Sequence, residues 1–327
     1  MSRETPAGPD AGLANRPRPT GEATSGTDAT GAAGLAGTLD TGLAGTGAAG
    51  LADMPDALGE GFAGTLAVCV PGLLALNEDV ELPLASTGKL LLLAALAQDI
   101  ASGAVDPAEP VTLLEEDRAG GSGLLTGSGE TPGLSAATWT VAGLALLTAA
   151  VSDNTATNAL LRRLGLDRVD AAARGLGMAR TRIHDRIREP RLPVHPPAFA
   201  TGTARELASL TTALAYGREP WHRLLLGWMA HNTDRGLVPA LLPHDPEDRL
   251  PPRAVPYPGV WVANKTGTDT GTRGDAGVIV GARRAGYAVL AHGPAGSEHA
   301  LVQAVRRAGL AIGSLVQPGP GPAAGAG

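Results

Sequence analysis

Ser86-Thr87-Gly88-Lys89-Leu90-Leu91-Leu92-Leu93-Ala94-Ala95-Leu96 is the stretch on which the reading of this chain turns. Composition predicts a helix over Ser86–Ile100, rich in leucine and alanine and without a breaker. It is apolar nearly all round, so it is expected to be a central buried helix. Lys89 is the anomaly. The spacing i to i+3 sets it one turn beyond Ser86 on the same face. A serine hydroxyl is a weak nucleophile until a base takes its proton, and a lysine can do so once desolvation lowers its pKa. A helix N-terminus also offers free N–H groups beside the serine. Taken alone, the ordinary reading of Ser86 is a helix cap followed by a stray lysine.

Two further motifs point the same way. Ser152-Asp153-Asn154 falls between two predicted helices. Its bland reading is a capped helix start. Its chemical reading is a hydroxyl that relays protons, an Asp153 that braces the loop, and an amide that positions substrate. Lys265-Thr266-Gly267-Thr268 lies on the first of several late strands. It reads either as a polar strand end or as a fixed positive charge followed by a glycine that lets a ligand approach the backbone. In the second reading the strand edge pairs with a substrate amide.

Each motif is weak singly, but their order makes chance a poor explanation. S-x-x-K, S-D-N and K-T-G together form the set of class A β-lactamases and penicillin-binding proteins. On those residues the chain resembles the class A β-lactamase family of serine hydrolases, over roughly residues 55–315. The resemblance extends to Ser152–Leu161, Trp228–Leu242 and Asn264–Gly277. It implies that Ser86 is the acylated nucleophile and Lys89 its base or proton shuttle. Ser152 would pass a proton to the leaving nitrogen, and Lys265 would hold that hydroxyl and draw in a substrate carboxylate. Asn154 would contact the acylamide side chain. The backbone N–H groups of Ser86 and Thr268 would form an oxyanion hole, worth roughly 3 kcal/mol per donor. Thr266, Thr268 and Arg273 are the candidates for binding the carboxylate, with Gly267 beside them.

The resemblance has three departures. Family enzymes carry a loop glutamate, normally within R-x-E-x-x-x-N, that activates the deacylating water. Here Glu189-Pro190 fits, but Arg186 comes one residue early and Pro193 stands where asparagine is usual. Glu189 is therefore either the water-activating base or a surface-loop acid paired with Arg186 or Arg188. Glu116–Gly133 lacks the aromatic that family enzymes place at the rim of the site. No export signal is seen in Met1–Thr20, so a cytoplasmic location is expected as the sequence stands, and a secreted one if the start is misassigned.

Around the motifs, strand-like Thr65–Val70 and Leu73–Val80 precede the buried helix. Helices are expected at Val141–Ala150, Thr155–Leu164, Val169–Gly175, Ala204–Ala215 and Trp221–His231. Strands follow at Val260–Lys265, Ala276–Gly281 and Tyr287–His292, and Glu298–Ser314 reads as an amphipathic closing helix. Strands at both ends with helices between imply an α/β (α+β) fold. One antiparallel sheet would be built from both chain ends, with a helical subdomain inserted at about 86–215. The expected domain is 56–315, flanked by Gly/Ala-rich tails at 1–55 and 316–327 that hold too few large apolar residues to fold.

Composition narrows the partners. The 327 residues are 43% hydrophobic and 18% charged, with net charge −6, which speaks against nucleic acid. No apolar run is long enough for a membrane span. The single Cys69 excludes an internal disulfide, and the histidines show no metal spacing, so no metal or cofactor is expected. The expected partner is a small molecule, a β-lactam or related amide or ester, acting on a monomer. The competing readings are the same fold on another amide or ester, an acyltransferase, or a non-catalytic binding protein.

Overall fold

Strand β1 (Thr65–Val70) enters the middle of a five-stranded antiparallel sheet, as the computed structural model shows. The structure describes residues 63–125, 134 and 136–317. The expected tail at 1–55, and nearly all of the one from 316, lie outside them. Strand β2 (Leu74–Leu76) pairs with β1. It is shorter than the expected Leu73–Val80 because Asn77 turns into the left-handed region at φ 48, which ends the extended run. Two-residue β3 (Leu82–Pro83) follows, then helix α1 (Lys89–Ser102).

Short β4 (Pro110–Thr112) and β5 (Thr138–Thr140) pair with each other. Helices α2 (Val141–Ala150), α3 (Asn154–Leu164) and α4 (Leu166–Gly175) come next. Then β6 (Arg182–Ile183) and β7 (Ala200–Gly202) join β3 in a small sheet. Helices α5 (Ala204–Tyr216) and α6 (Pro220–Ala230) lead to β8 (Trp261–Asp269), β9 (Thr272–Val280) and β10 (Arg284–His292). Helix α7 (Glu298–Val316) closes the chain and runs two residues past the expected Ser314, with Val316 buried.

The large sheet has the order β2-β1-β10-β9-β8. The first and last strands of the described residues therefore share one sheet, with β1 hydrogen-bonded between β2 and β10. Helices α5 and α7 pack on the sheet, and both faces of its strands are buried. No helix among the described residues is long and apolar enough to cross a membrane.

Helix α1 is the core of the other half. Every residue from Lys89 to Ala97 is buried, as its all-round apolar sequence predicts. It ends where Gly103 takes a left-handed conformation at φ 80. Trp221 and Trp228 of α6 are buried in the same cluster. Cys69 is a buried strand residue whose thiol donates to Glu78 Oε2 at 2.8 Å.

Candidate active site

The approach to α1 is a 3₁₀ turn over Ala85–Gly88, anchored where Leu84 N–H donates to Ala200 O at 2.9 Å on β7. Ala85 is held at φ 46, an uncommon state for a residue with a Cβ, and sets the direction of the turn. Ser86 sits half-buried inside the turn rather than at its cap position, which is Leu84. Gly267 of β8 lies directly against this turn. A Cβ there would stand 2.5 Å from Leu84 O and 2.7 Å from Thr87 N. The glycine admits the protein's own backbone, and so lets the third motif reach the first.

Lys89 is wholly buried. Its Nζ lies 2.6 Å from Ser152 O, 2.8 Å from Asn154 Oδ1 and 3.1 Å from Ser152 Oγ. Desolvation, reinforced by the nearby charge of Lys265, holds its pKa well below the ordinary lysine value. The amine donates to two carbonyl oxygens and to the Ser152 hydroxyl oxygen, so all three of its contacts are to acceptors.

Ser152 occupies the tight link between α2 and α3 at φ 57, again a left-handed non-glycine residue. Asp153 holds it there. The Asp153 carboxylate is buried, caps α3 at Ala156 N (2.8 Å), and accepts from Leu124 N (2.6 Å) and Leu125 N (2.8 Å). That contact is why position 123 is glycine: it runs at φ 126, and a Cβ would meet Asp153 Oδ2 at 2.4 Å. Lys265, buried on β8, donates to Ser152 Oγ at 3.0 Å and to Thr266 O at 2.8 Å. Burial lowers the Lys265 pKa to about 8, against the opposing charges of Asp234 and Asp275. The Ser152 oxygen thus lies within hydrogen-bond distance of two buried lysine amines, a position from which a hydroxyl can relay a proton.

Two cavities meet at Ser86. One, of about 200 Å³, is lined by Ser152, Asn232, Asp234, Thr266 and Thr268 among others. The second, of about 390 Å³, is bordered by Asn154, Arg188, Glu189, Arg191 and Phe199. Ser86, Ser122 and Thr268 belong to both. Strand β8 is the edge of its sheet, and its Thr266 and the exposed Thr268 line the first cavity. Asn154 already donates to Gly120 O at 2.6 Å while accepting from Lys89.

The structure leaves two predicted residues apart from this cluster. Arg273 borders neither cavity. Its guanidinium donates to Asp269 O and Thr272 O, both at 2.7 Å, because the tight β8–β9 turn exposes carbonyls there. Glu189 borders the second cavity but is exposed and has no hydrogen bond or ion pair among the described residues. Arg188 instead pairs with Asp185 at 2.5 Å, and Arg186 with Glu116 O. The loop carrying Glu189 is fixed by Asn158 of α3, which accepts from Ile187 N (2.8 Å) and donates to Ile187 O (2.9 Å).

Sequence reasoning missed Ser122, Asn158, Asn232 and Asp234. Asn158, Asn232 and Asp234 fall inside the stretches that carry the resemblance. Asn232 is buried and donates to Asn264 Oδ1 at 3.0 Å, next to Lys265. Behind it, Asp275 accepts from Asn264, Val238 N and Tyr287.

The model of the beta-lactamase enzyme family matches residues 62–316. The structure is similar to a beta-lactamase from Sphaerobacter thermophilus DSM 20745, at 28% identity and TM-score 0.67, covering 84% of this chain and all of that one. It is similar to a beta-lactamase from Desulfarculus baarsii DSM 2075 at 26% identity and TM-score 0.61, covering 82% and 99%. It also shares its fold with PBP-A at 22% identity and TM-score 0.67, covering 81% and 94%. No curated protein gives a significant match.

Proposed function

Because the chain belongs to the beta-lactamase enzyme family, we propose that it opens a β-lactam amide through an acyl-enzyme on Ser86. The observation that carries this reading is the Ser152 hydroxyl held between Lys89 Nζ and Lys265 Nζ beside Ser86. In the proposed reaction, neutral Lys89 takes the Ser86 proton as Ser86 Oγ attacks the amide carbon. The developing oxyanion lies between the N–H groups of Ser86 and Thr268. The C–N bond then breaks. The leaving nitrogen receives the Ser152 proton, and Ser152 is reprotonated from Lys89. Lys265 keeps the hydroxyl oriented and the site positive. Hydrolysis of the ester follows when Glu189 takes a proton from a water that attacks the acyl carbon; the bond from that carbon to Ser86 Oγ then breaks, and Oγ recovers the proton. Thr266 and Thr268 face the group next to the leaving nitrogen.

A second reading has support in one feature: Glu189 is exposed and unpaired among the described residues. An acyl-enzyme lacking an efficient base persists, as in a penicillin-binding protein. Incubation with a chromogenic cephalosporin, followed by intact mass and peptide mapping, tests both. An adduct on Ser86 with continuing turnover supports hydrolysis, and a long-lived adduct supports the second reading. No adduct, or one mapped to another residue, overturns the Ser86 assignment.

A further inference from the structure

Among the described residues, Asp234 is the one ionisable side chain lining the cavity that Ser152 borders. Its position is fixed by its neighbours. Buried Asn232 accepts from Asp234 N at 3.1 Å and donates to Asp234 O at 3.0 Å. Asp234 Oδ1 accepts from Gly236 N at 3.0 Å, while Oδ2 has no partner among the described residues. The cations nearby are turned elsewhere. Arg235 donates to Val262 O, Asn264 Oδ1 and Ala230 O. Arg273 is held by the β8–β9 turn. Lys265 is buried and already bonded to Ser152 and Thr266, with Asp234 near enough for its charge to oppose loss of the Lys265 proton.

If Ser152 protonates the leaving nitrogen, the group attached to that nitrogen enters this cavity. A carboxylate there would face a fixed carboxylate, with no guanidinium lining the cavity among the described residues. We propose that Asp234 is a specificity-determining residue, selecting substrates whose group beside the leaving nitrogen is neutral or cationic over those bearing a carboxylate. The proposal rests on the acyl-enzyme reading above and narrows its substrate class. Carboxylate-bearing β-lactams would then acylate Ser86, but slowly.

The test uses a chromogenic cephalosporin as the free acid and as its methyl ester, with acylation rates measured for the full chain and for Asp234→Asn. Asparagine retains the acceptor for Gly236 N–H, so a purely structural role would leave the acid-to-ester ratio unchanged. The native chain should favour the ester. Asp234→Asn should raise the acid-to-ester rate ratio by about tenfold, any change passed on through Lys265 being common to both probes. A second measurement needs no variant. Added salt should speed acylation by the acid in the native chain, more than in Asp234→Asn, because it screens the repulsion. Adducts on Ser86 with an unchanged ratio and no difference in salt response overturn the role of Asp234 alone. No adduct with either probe overturns the acyl-enzyme reading, and the proposal falls with it.

Discussion

Lys89 and Glu189 serve the two halves of the reaction proposed at Ser86, and the chain holds them differently. Lys89 is wholly buried, one turn along a core helix, with three oxygen neighbours within 3.1 Å. Glu189 is exposed on a loop, and its carboxylate has no partner among the described residues. The backbone around Glu189 is nonetheless held, through Asn158 to Ile187 and Asp185 to Arg188. The difference is one of side-chain fixation rather than loop order. Under the proposed reaction, acylation draws on groups pre-positioned by the core, while release of the acyl group depends on a side chain free to change rotamer. Preorganisation of this kind is worth orders of magnitude in rate. The first half-reaction should therefore be the more sensitive to substitution.

Lys89→Met puts that asymmetry under the greatest strain. A positioned base contributes roughly 10²–10⁴-fold, and the effect on acylation by a chromogenic cephalosporin should approach the upper end. Stopped-flow measurement of adduct formation checks this, and a loss below tenfold would remove Lys89 from the proton path. Glu189→Gln should act on the other half. Adduct lifetime by time-resolved intact mass should lengthen by about 10²-fold, with acylation nearly unchanged. An unaltered lifetime would make Glu189 an ordinary loop residue.

A pH profile sharpens the same contrast more gently. The Lys265 charge that orients Ser152 is lost as pH rises through about 8, its burial-lowered pKa. Acylation should accordingly fall above that pH by several-fold, up to about tenfold, while decay of the preformed adduct should not follow the same curve. A profile flat to pH 10 would show that Lys265 is not needed in its charged form. The smallest effect is expected from Asn158→Ala. Loss of two part-buried bonds to Ile187 and a buried one to Asp117 O should cost about 1–3 kcal/mol, read as a few degrees in Tm. It should also shorten the useful residence of Glu189 near the acyl carbon. A variant with native Tm and native adduct lifetime would mean that the loop is held from elsewhere.

How much of this could be read from residues alone follows from the range of the forces involved. Helix α1 was legible because nine successive buried positions leave no polar face. The late strands were legible from their short β-branched runs, and the Asp153 brace from cap chemistry. Ser86 and Lys89 were legible because their spacing is local. The partners of Ser152 were not: whether its hydroxyl meets Lys89, Lys265 or solvent depends on how α3 and β8 come together. Asn158, Asn232 and Asp234 look like ordinary polar residues of a helix and a turn, and only tertiary packing gives them their positions. Gly267 was read as room for a ligand, whereas the room is taken by the turn that carries Ser86. Arg273 was selected for its charge, and charge does not say which carbonyls a guanidinium will find first. Strands β3 to β7, two or three residues each, are too short to show any period.

The insertion of β1 between β2 and β10 has a consequence for biosynthesis. On a ribosome, β1 and α1 emerge well before β10, yet β1 cannot gain its second neighbour until β10 follows. Contacts so remote in sequence form late, because loop closure must precede them. Lys265 and the edge strand beside Ser86 arrive with that same C-terminal hairpin. A nascent chain thus carries a serine and a buried lysine without the second lysine or the ligand-facing strand. Reactivity at Ser86 would be the last property the chain acquires, appearing only when translation has released the strands that complete the sheet.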